Sequence, residues 1–120
     1  MYFMFLVLSH TNLDIFKISK SLILLTYQVT DKFPKEEKYA LTQQIRRAAL
    51  SVHLNIAEGC SRKSTLERKR FFEISRGSVI EIDTAIDMAI ELNFITKQET
   101  MQLGESIIRC FQLLSKMITT

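Results

Sequence analysis

The stretch that decides the fold is STLERKRFFEISRGSVIEIDTAIDMAIEL, residues 64–92. Ser64 is followed three residues later by Glu67, which forms a capping box at the start of a helix. Apolar and small residues then recur in alternating steps of four and three, so they lie along one helical face. Those positions are Phe71, Ser75, Ser78, Ile82, Ala85, Ala89 and Leu92. The pattern predicts one long helix over residues 65–92.

Three more segments carry the same periodicity and predict helices over residues 13–33, 37–59 and 97–119. Their stripes are Ile15, Ile18, Leu22, Leu25 and Val29; Leu41, Ile45, Ala48 and Val52; and Gly104, Ile107, Phe111, Leu114 and Ile118. Pro34 stops the first helix because proline cannot continue one cheaply. Gly59 is predicted to end the second through a positive φ, and Thr96 with Glu99 caps the last.

The scarcity of turn residues sets the fold class. The 120 residues include only 3 Gly and 1 Pro, too few for the many turns of a sandwich or barrel. Short links between long helices make neighbours antiparallel. The sequence therefore predicts an all-α domain, an up-down-up-down antiparallel four-helix bundle over residues 13–120.

The bundle is preceded by an apolar segment, with MYFMFLVL at residues 1–8. A membrane span needs about 20 apolar residues, and a signal peptide needs a basic region before its apolar core. We therefore predict that residues 1–12 form a tail that is poorly ordered or packed in an oligomer, with no membrane role. Cys60 and Cys110 have no CxxC spacing and are predicted to be reduced, in a cytoplasmic protein.

The longest predicted helix carries a second apolar flank beside its main stripe. This flank consists of Phe72, Val79, Ile86 and Ile90. A contiguous exposed apolar patch commonly marks a partner surface, so we predict a homo-oligomer interface there. The alternative is that the flank belongs to a wide core-facing side of the helix.

Charge is distributed unevenly along the chain. The net charge is +3, but residues 35–76 hold ten Lys or Arg and five Asp or Glu, which gives +5. Their densest part is the predicted basic cluster of Arg62, Lys63, Arg68, Lys69, Arg70 and Arg76. The later half of the same helix carries Glu81, Asp83, Asp87 and Glu91. This order opposes the helix dipole, which favours acids at a helix start.

Three interpretations of the basic cluster are consistent with the sequence. Lys and Arg side chains bind phosphates of RNA or DNA without reading sequence, because counterions are released. Alternatively, the basic end of one subunit pairs with the acidic end of another, or the charges form an ordinary solvated face. Aromatic residues do not alternate with the cations, so recognition of single strands by stacking is disfavoured.

The sequence offers no convergent set of catalytic or metal-binding groups. His10 and His53 are isolated, and no HExxH, GxSxG or phosphate-loop motif occurs. Glu58 and Glu81 are the best carboxylate pair, yet a structural task for each is simpler. We therefore predict a protein that is not an enzyme and has no cofactor, metal or small-molecule substrate.

A structural polar network is predicted instead, comprising Arg46, Arg47, Asn55, Glu58 and Glu81. An antiparallel hairpin places Arg46 or Arg47 at the height of Glu81, which predicts an interhelical ion pair. Asn55 is predicted to fix the register of the helices. Gly77 is predicted to allow a close approach to Ala48, Ala49 and Ser51, because glycine otherwise costs up to about 1 kcal/mol in a helix.

Several of these motifs together carry a family resemblance. LTQQIRRAALSV at 41–52, NIAEG at 55–59, and GSV at 77–79 with Glu81 resemble the four-helix-bundle proteins encoded in intervening sequences of bacterial 23S rRNA genes. Arg62 and Phe33-Pro34 with Glu37 fit the same pattern. The resemblance covers about residues 13–120 and implies a ring-like homopentamer with no established enzymatic activity. The chain is also distantly similar to the accessory variability determinant of diversity-generating retroelements, a basic pentameric barrel that engages nucleic acid and a reverse transcriptase.

Two functional hypotheses follow from the sequence. The first is a non-enzymatic homo-oligomer whose basic cluster, repeated around the assembly, binds RNA or DNA backbone without sequence preference. The second is a protein-interaction scaffold with no nucleic-acid role, in which the apolar flank and acidic half of the long helix meet a protein partner.

Overall fold

Four antiparallel helices, and no strand, are found among residues 5–6 and 8–120, which the computed structural model describes. They are α1 (Asp14–Thr30), α2 (Leu41–Ser61), α3 (Thr65–Glu91) and α4 (Met101–Thr119), with 3₁₀ helices at Lys35–Glu37 and Gln98–Thr100. Helices α1 and α3 each pack against both α2 and α4, which closes the bundle. The predicted all-α, up-down-up-down four-helix bundle is confirmed.

The α2 helix begins and ends later than the sequence suggests. Ala40 has φ −122° and ψ −104°, outside the helical region, so the helix begins at Leu41. Gly59 lies within α2, and no glycine in the described residues has a positive φ, so the prediction that Gly59 ends the helix is wrong. A Cβ on Gly59 would lie 2.6 Å from Cε1 of Phe72. This glycine therefore allows α3 to pack closely on α2.

The predicted capping box at Thr96 and Glu99 is present in full, whereas at Ser64 the described residues form only the half in which the serine hydroxyl accepts. The backbone N–H of Glu67 donates to Ser64 Oγ at 3.2 Å. The N–H groups of Thr96 and Glu99 each donate to the other residue's side chain, at 3.0 and 3.2 Å. The Glu99 carboxylate accepts from the backbone and hydroxyl of Thr96 and lies 3.3 Å from Lys32 Nζ, so its pKa is lowered.

The end of α3 depends on an asparagine. Asn93 adopts φ 62°, in the left-handed region that asparagine tolerates better than most residues. The N–H of Phe94 then donates to the carbonyl of Ala89 at 2.9 Å. This is the six-residue hydrogen bond of a Schellman motif, which satisfies a carbonyl left open at the helix end.

The hydrophobic core lies between the four helices. It contains most of the residues that the sequence assigned to the oligomer interface, so that assignment is corrected. Phe72, Val79 and Ile86 are buried in it, and only Ile90 of the predicted flank is half-buried. The core-facing stripe of α3 is thus rotated from the predicted one, and Leu92 of the predicted stripe is exposed. One contact that accompanies this rotation is that of the Phe72 ring with Gly59 on α2, where a side chain would leave no room for the ring.

Part of the N-terminal tail lies against α1 and α2. Residues 1–4 and 7 of the predicted tail fall outside the described residues. Thr11 Oγ1 donates to the carbonyl of Leu8 at 2.7 Å, which closes a turn before α1. Phe5, Leu6 and Leu8 are exposed and line a shallow groove of about 270 Å³ together with Phe16 and His53. None of the described helices is long and apolar enough to cross a membrane.

Candidate nucleic-acid interface

The antiparallel order gathers positive charge at one end of the bundle. The start of α1 meets the end of α2, where Ser19 Oγ lies 2.6 Å from His53 Nδ1. The start of α3 meets the end of α4, where Arg76 Nη1 donates to Ser115 Oγ at 3.2 Å. We define the basic end as residues 14–22, 52–78 and 110–120. It holds nine Lys or Arg and four Asp or Glu, giving +5, whereas the remaining residues hold seven and nine, giving −2.

Arg68 has a structural role at this end. Its Nη1 donates to the carbonyl oxygens of Cys60 and Arg62, at 3.2 Å each. These carbonyls belong to the last turn of α2 and its cap, where helical partners are missing. A cation beside them also interacts favourably with the negative end of the α2 dipole. The guanidinium of Arg68 is therefore committed to joining α2 to α3.

Two further arginines of the predicted cluster are partly engaged within the fold. Arg62 Nη2 lies 3.1 Å from Glu58 Oε2, and its guanidinium stacks 4.8 Å from the centre of the Phe71 ring. Arg76 bonds Ser115 and lies 5.8 Å from the centre of the Phe111 ring. Both side chains hold α2, α3 and α4 in place and keep their positive charge near the surface.

The other three cations, Lys63, Lys69 and Arg70, make no ion pair or hydrogen bond with the described part of the chain. Lys63 and Arg70 are exposed, and Lys69 is half-buried. Consecutive helical residues point about 100° apart, so Lys69 and Arg70 face different directions. The six predicted residues therefore surround the start of α3 instead of forming one stripe, and three of them are available to a ligand.

The predicted polar network forms with different partners. Arg46 Nε donates to Thr30 Oγ1 at 2.9 Å, lies 3.7 Å from Asp31 and stacks 4.3 Å from the centre of the Tyr27 ring. It joins α2 to α1, so the expected ion pair to Glu81 does not form. Exposed Arg47 makes no ion pair with the described residues either.

Glu81 and Asn55 are also bonded otherwise than predicted. Glu81 Oε2 accepts from Gln44 Nε2 at 2.7 Å, which is the α2 to α3 link that the arginines were expected to supply. Asn55 Nδ2 donates to the carbonyl and hydroxyl of Ser51 on its own helix. These bonds are within α2, so they do not fix the register between helices.

Contacts between α2 and α3 depend on serines more than on Gly77. Ser78 Oγ bonds Ser51 Oγ at 2.9 Å, and the buried Ser75 Oγ donates to the carbonyl of Val52 at 2.8 Å. A Cβ on Gly77 would meet no atom within 4 Å. The predicted close approach at Gly77 is wrong, because this residue faces solvent while Ser75 and Ser78 face α2.

The carboxylates of Glu58 and Glu81 do not converge. Glu58 pairs with Arg62 near the end of α2, whereas Glu81 bonds Gln44 near its start. Gln44 and Glu58 are 14 positions apart on one helix, about 20 Å at 1.5 Å per residue. Two carboxylates at that separation cannot act together on one substrate bond.

The sequence did not indicate a cluster around His53. Its ring stacks on Phe16, with ring centres 4.2 Å apart, and its Nδ1 bonds Ser19 Oγ. The Ser19 hydroxyl also lies 3.0 Å from the Phe16 carbonyl oxygen, within hydrogen-bond distance. Burial, with Lys20 and His10 nearby, lowers the pKa of His53 to about 4. Ser19 is fully buried, so this pair is structural and has no accessible nucleophile.

The two cysteine thiols have raised pKa values in the folded chain. Burial raises the pKa of Cys110 to about 12. Burial also raises the pKa of the half-buried Cys60, and the charge of Arg68 opposes that effect. Because the thiolate is the nucleophile, both cysteines are poor nucleophiles at neutral pH. Among the residues that the structure describes, no group of three His, Cys, Asp or Glu side chains is placed to hold a metal ion.

Comparison with known proteins shows the family. The model of the family described as 23S rRNA-intervening sequence protein matches residues 11–117. The chain belongs to this family. The match includes all but the last two residues of the four helices and therefore the whole α2–α3 turn of the basic end. No protein with curated functional information matches the chain.

A solved structure supports the fold of this 23S rRNA-intervening sequence protein. It is the crystal structure of a protein of unknown function from the S23 ribosomal protein family of Bacteroides thetaiotaomicron. The two chains are 19% identical, the match covers 88% of this chain and 99% of that one, and the TM-score is 0.81. At this level of identity the likeness shows a shared four-helix fold.

Proposed function

We propose that this family member is a non-enzymatic, self-associating bundle whose basic end binds the phosphate backbone of RNA or DNA. The observation that carries the proposal is the group of Lys63, Lys69 and Arg70, which have no partner within the described residues. Such cations gain binding free energy by releasing the counterions of phosphates. They contact no base edges in this mode, so binding has little sequence preference.

Self-association allows a small number of cations on each copy to bind a nucleic acid tightly. Three available cations on one copy give weak binding, whereas several copies on one nucleic acid bind with high avidity. We propose a homo-oligomer, and the pentameric ring implied by the family resemblance is the assembly we expect. The free thiols of Cys60 and Cys110 suit a reducing compartment, and we place the protein in the cytoplasm.

The α1–α2 face is the surface we assign to contact between copies. Leu24 and Tyr27 on α1 and Leu50 and Leu54 on α2 are all exposed, and Tyr27 and Leu50 line the same groove. All four side chains are uncharged, and the groove that Tyr27 and Leu50 line also carries the cations Lys38, Arg46 and Arg47. Exposed apolar area of this kind commonly marks a contact surface.

Fluorescence anisotropy with labelled single-stranded RNA and DNA tests the nucleic-acid proposal. We expect K63E/K69E/R70E to bind at least tenfold more weakly at about 50 mM salt than the parent. The slope of log K against log salt should fall by about 2 to 3, since about 0.7 to 0.9 counterions are released per phosphate contact. Parallel RNA and DNA arms identify which backbone is preferred.

The matched control is K35E/K38E/K97E, which makes the same change in net charge outside the basic end. Lys35, Lys38 and Lys97 are all exposed. We expect it to retain most of the binding of the parent. Equal losses in the two triple variants, or no binding by the parent at low salt, would overturn the proposal of a basic-end site.

Native mass spectrometry tests self-association and its surface. We expect L50D/L54D to lower the number of subunits. The control is Ile74→Asp on α3, because Ile74 is 46% exposed and Leu50 is 47% exposed. A monomeric parent protein, or dissociation by the Ile74 variant alone, contradicts the assigned face.

A protein-interaction scaffold without a nucleic-acid role is the second candidate function. The observation that favours it is a separate groove between α3 and α4. That groove is lined mainly by apolar and acidic residues, whereas the basic end carries an excess of Lys and Arg.

A further inference from the structure

A groove runs between the second half of α3 and the first half of α4, outside the basic end. Its volume is about 300 Å³, and its apolar lining includes Ile86 and Ile90 from α3 with Met101 and Ile108 from α4. Met101 and Ile108 are each 57% exposed, so much of this lining is in contact with water. We call this surface the acidic groove, because Asp83, Asp87 and Glu105 also line it.

The depth of the acidic groove depends on Gly104. This residue lies in the lining, and a Cβ built on it would meet no atom within 4 Å. Packing within the chain therefore does not require glycine there, although glycine inside a helix costs roughly 0.5–1 kcal/mol relative to alanine. The missing side chain leaves a notch that reaches the backbone of α4.

Three carboxylates border the acidic groove. Asp83 and Asp87 on α3 and Glu105 on α4 line it, and none makes an ion pair or hydrogen bond with another described residue. Lys97 is the basic residue in the lining. An apolar floor between acidic edges is complementary to an apolar stripe flanked by Lys or Arg.

We propose that the acidic groove binds an amphipathic helix with basic flanks, supplied by a partner protein. The α3 residues of the lining, Asp83, Ile86, Asp87 and Ile90, span seven steps, about 10 Å or two helical turns. A helix laid between α3 and α4 places apolar residues spaced i, i+3 or i+4 and i+7 on the floor. Its Lys and Arg side chains then reach Asp83 and Asp87 on one edge and Glu105 on the other. This inference is independent of the nucleic-acid proposal, since no residue is shared.

A designed peptide provides the test. The probe is a fluorescein-labelled amphipathic peptide of about 18 residues, with Leu on one face and Arg on both flanks. We expect saturable binding to the full-length protein, with methyl NMR shifts concentrated on Ile86, Ile90, Met101 and Ile108. The same peptide with Glu in place of every Arg should bind at least tenfold more weakly.

Two pairs of variants locate the site. Gly104→Leu fills the notch, and we expect at least a tenfold loss of peptide affinity. Gly77→Leu is the matched control, because Gly77 is also a helical glycine with open space around its Cβ position, and its affinity should be unchanged. D83N/D87N/E105Q should weaken binding and reduce its salt dependence, because the variant removes three charges and keeps the shape of the groove.

Several outcomes would overturn the inference. One is equal affinity of the Gly104 and Gly77 variants, and another is methyl shifts on the α1–α2 face. Dissociation of the oligomer by Gly104→Leu would show that a second copy of this chain occupies the groove. Failure of the parent protein to bind the peptide would also overturn the inference, and retained RNA or DNA binding by that protein would leave the proposed function standing.

Discussion

The two halves of α3 carry opposite charge, and each half contains both bonded and unbonded charged residues. In the first half, Arg68 and Arg76 are bonded within the fold, and Arg68 closes the end of α2. In the second half, Asp83 and Asp87 have no partner among the described residues. The basic start of α3 opposes its own dipole, yet Arg68 lies beside the negative end of α2. The antiparallel hairpin thus gives Arg68 a favourable position that α3 alone would not.

The largest effect is expected from the core beneath the basic end. Phe72→Ala removes a buried ring that packs on Gly59, and we expect a loss of about 3–5 kcal/mol in the free energy of unfolding. Ile90→Ala in the other half of α3 should cost less than half as much, because Ile90 is only half-buried. Urea denaturation followed by circular dichroism measures both. Similar losses would show that the two halves are packed equally well.

Acid should weaken the basic end before the rest of the bundle. The pKa of His53 is about 4 in the folded chain against 6.5 unfolded, so the unfolded state binds the proton first. Stability contributed by neutral His53 is complete above pH 6.5 and is lost as the pH falls toward 4. We expect a loss of about 2 kcal/mol, less than the full shift implies because the ring is partly solvated.

His53→Gln is the control for this pH effect. Glutamine can still hydrogen-bond Ser19 and does not titrate, so the variant should lack the loss between pH 6.5 and 4.5. The lowered pKa of Glu99 makes its contribution disappear only below about pH 4.5, which keeps the two effects apart. Thermal unfolding at half-unit pH steps measures both proteins. An unchanged profile in the variant would contradict the role of His53.

Arginines that are bonded and unbonded should differ in their effect on stability. Arg68→Gln removes a charged donor from two carbonyls at the end of α2, and we expect a cost of about 1–2 kcal/mol. Arg70→Gln should stay within about 0.5 kcal/mol, because Arg70 is exposed and unbonded. Chemical denaturation distinguishes them. Equal costs would mean that the carbonyl bonds of Arg68 contribute little.

The smallest effects are expected at the glycines. Gly104→Ala and Gly77→Ala should each stabilise the fold by about 0.5–1 kcal/mol, because the added Cβ meets open space. Gly59→Ala should destabilise it, because its Cβ would lie 2.6 Å from the Phe72 ring. Differential scanning calorimetry resolves these differences. Destabilisation by Gly104→Ala would show that the acidic groove is closed by an unrecognised contact.

The fold could be predicted because periodicity and caps are local properties. The box at Thr96 with Glu99 and the serine cap at Ser64 are present as their spacing indicated. The rotation of α3 could not be predicted in this way. Two stripes overlap in its sequence, sharing Ser75, Ser78, Ile82 and Ala89. Contacts with α2, such as that of Phe72 with Gly59, accompany the observed one.

The sequence predicted which residues surround the candidate site, but it did not predict the contacts that they make. Spacing indicated six cations around the start of α3. It did not indicate which carbonyls Arg68 binds, because their direction depends on the backbone conformation at Arg62. His53 and Ser19 are 34 positions apart, so their hydrogen bond depends on the register of α1 against α2. A single sequence with isolated histidines carries no signal for that register.

The two cysteines lie at different depths and offer built-in reporters of opening. Cys110 is completely inaccessible, so a thiol-reactive dye should modify it only when the whole bundle comes apart. Cys60 is only half-buried beside the Arg68 bonds, so its labelling should register local fraying of the α2–α3 hairpin. Comparing the two labelling rates would show how much more readily the α2–α3 hairpin opens than the whole domain, without any engineered probe.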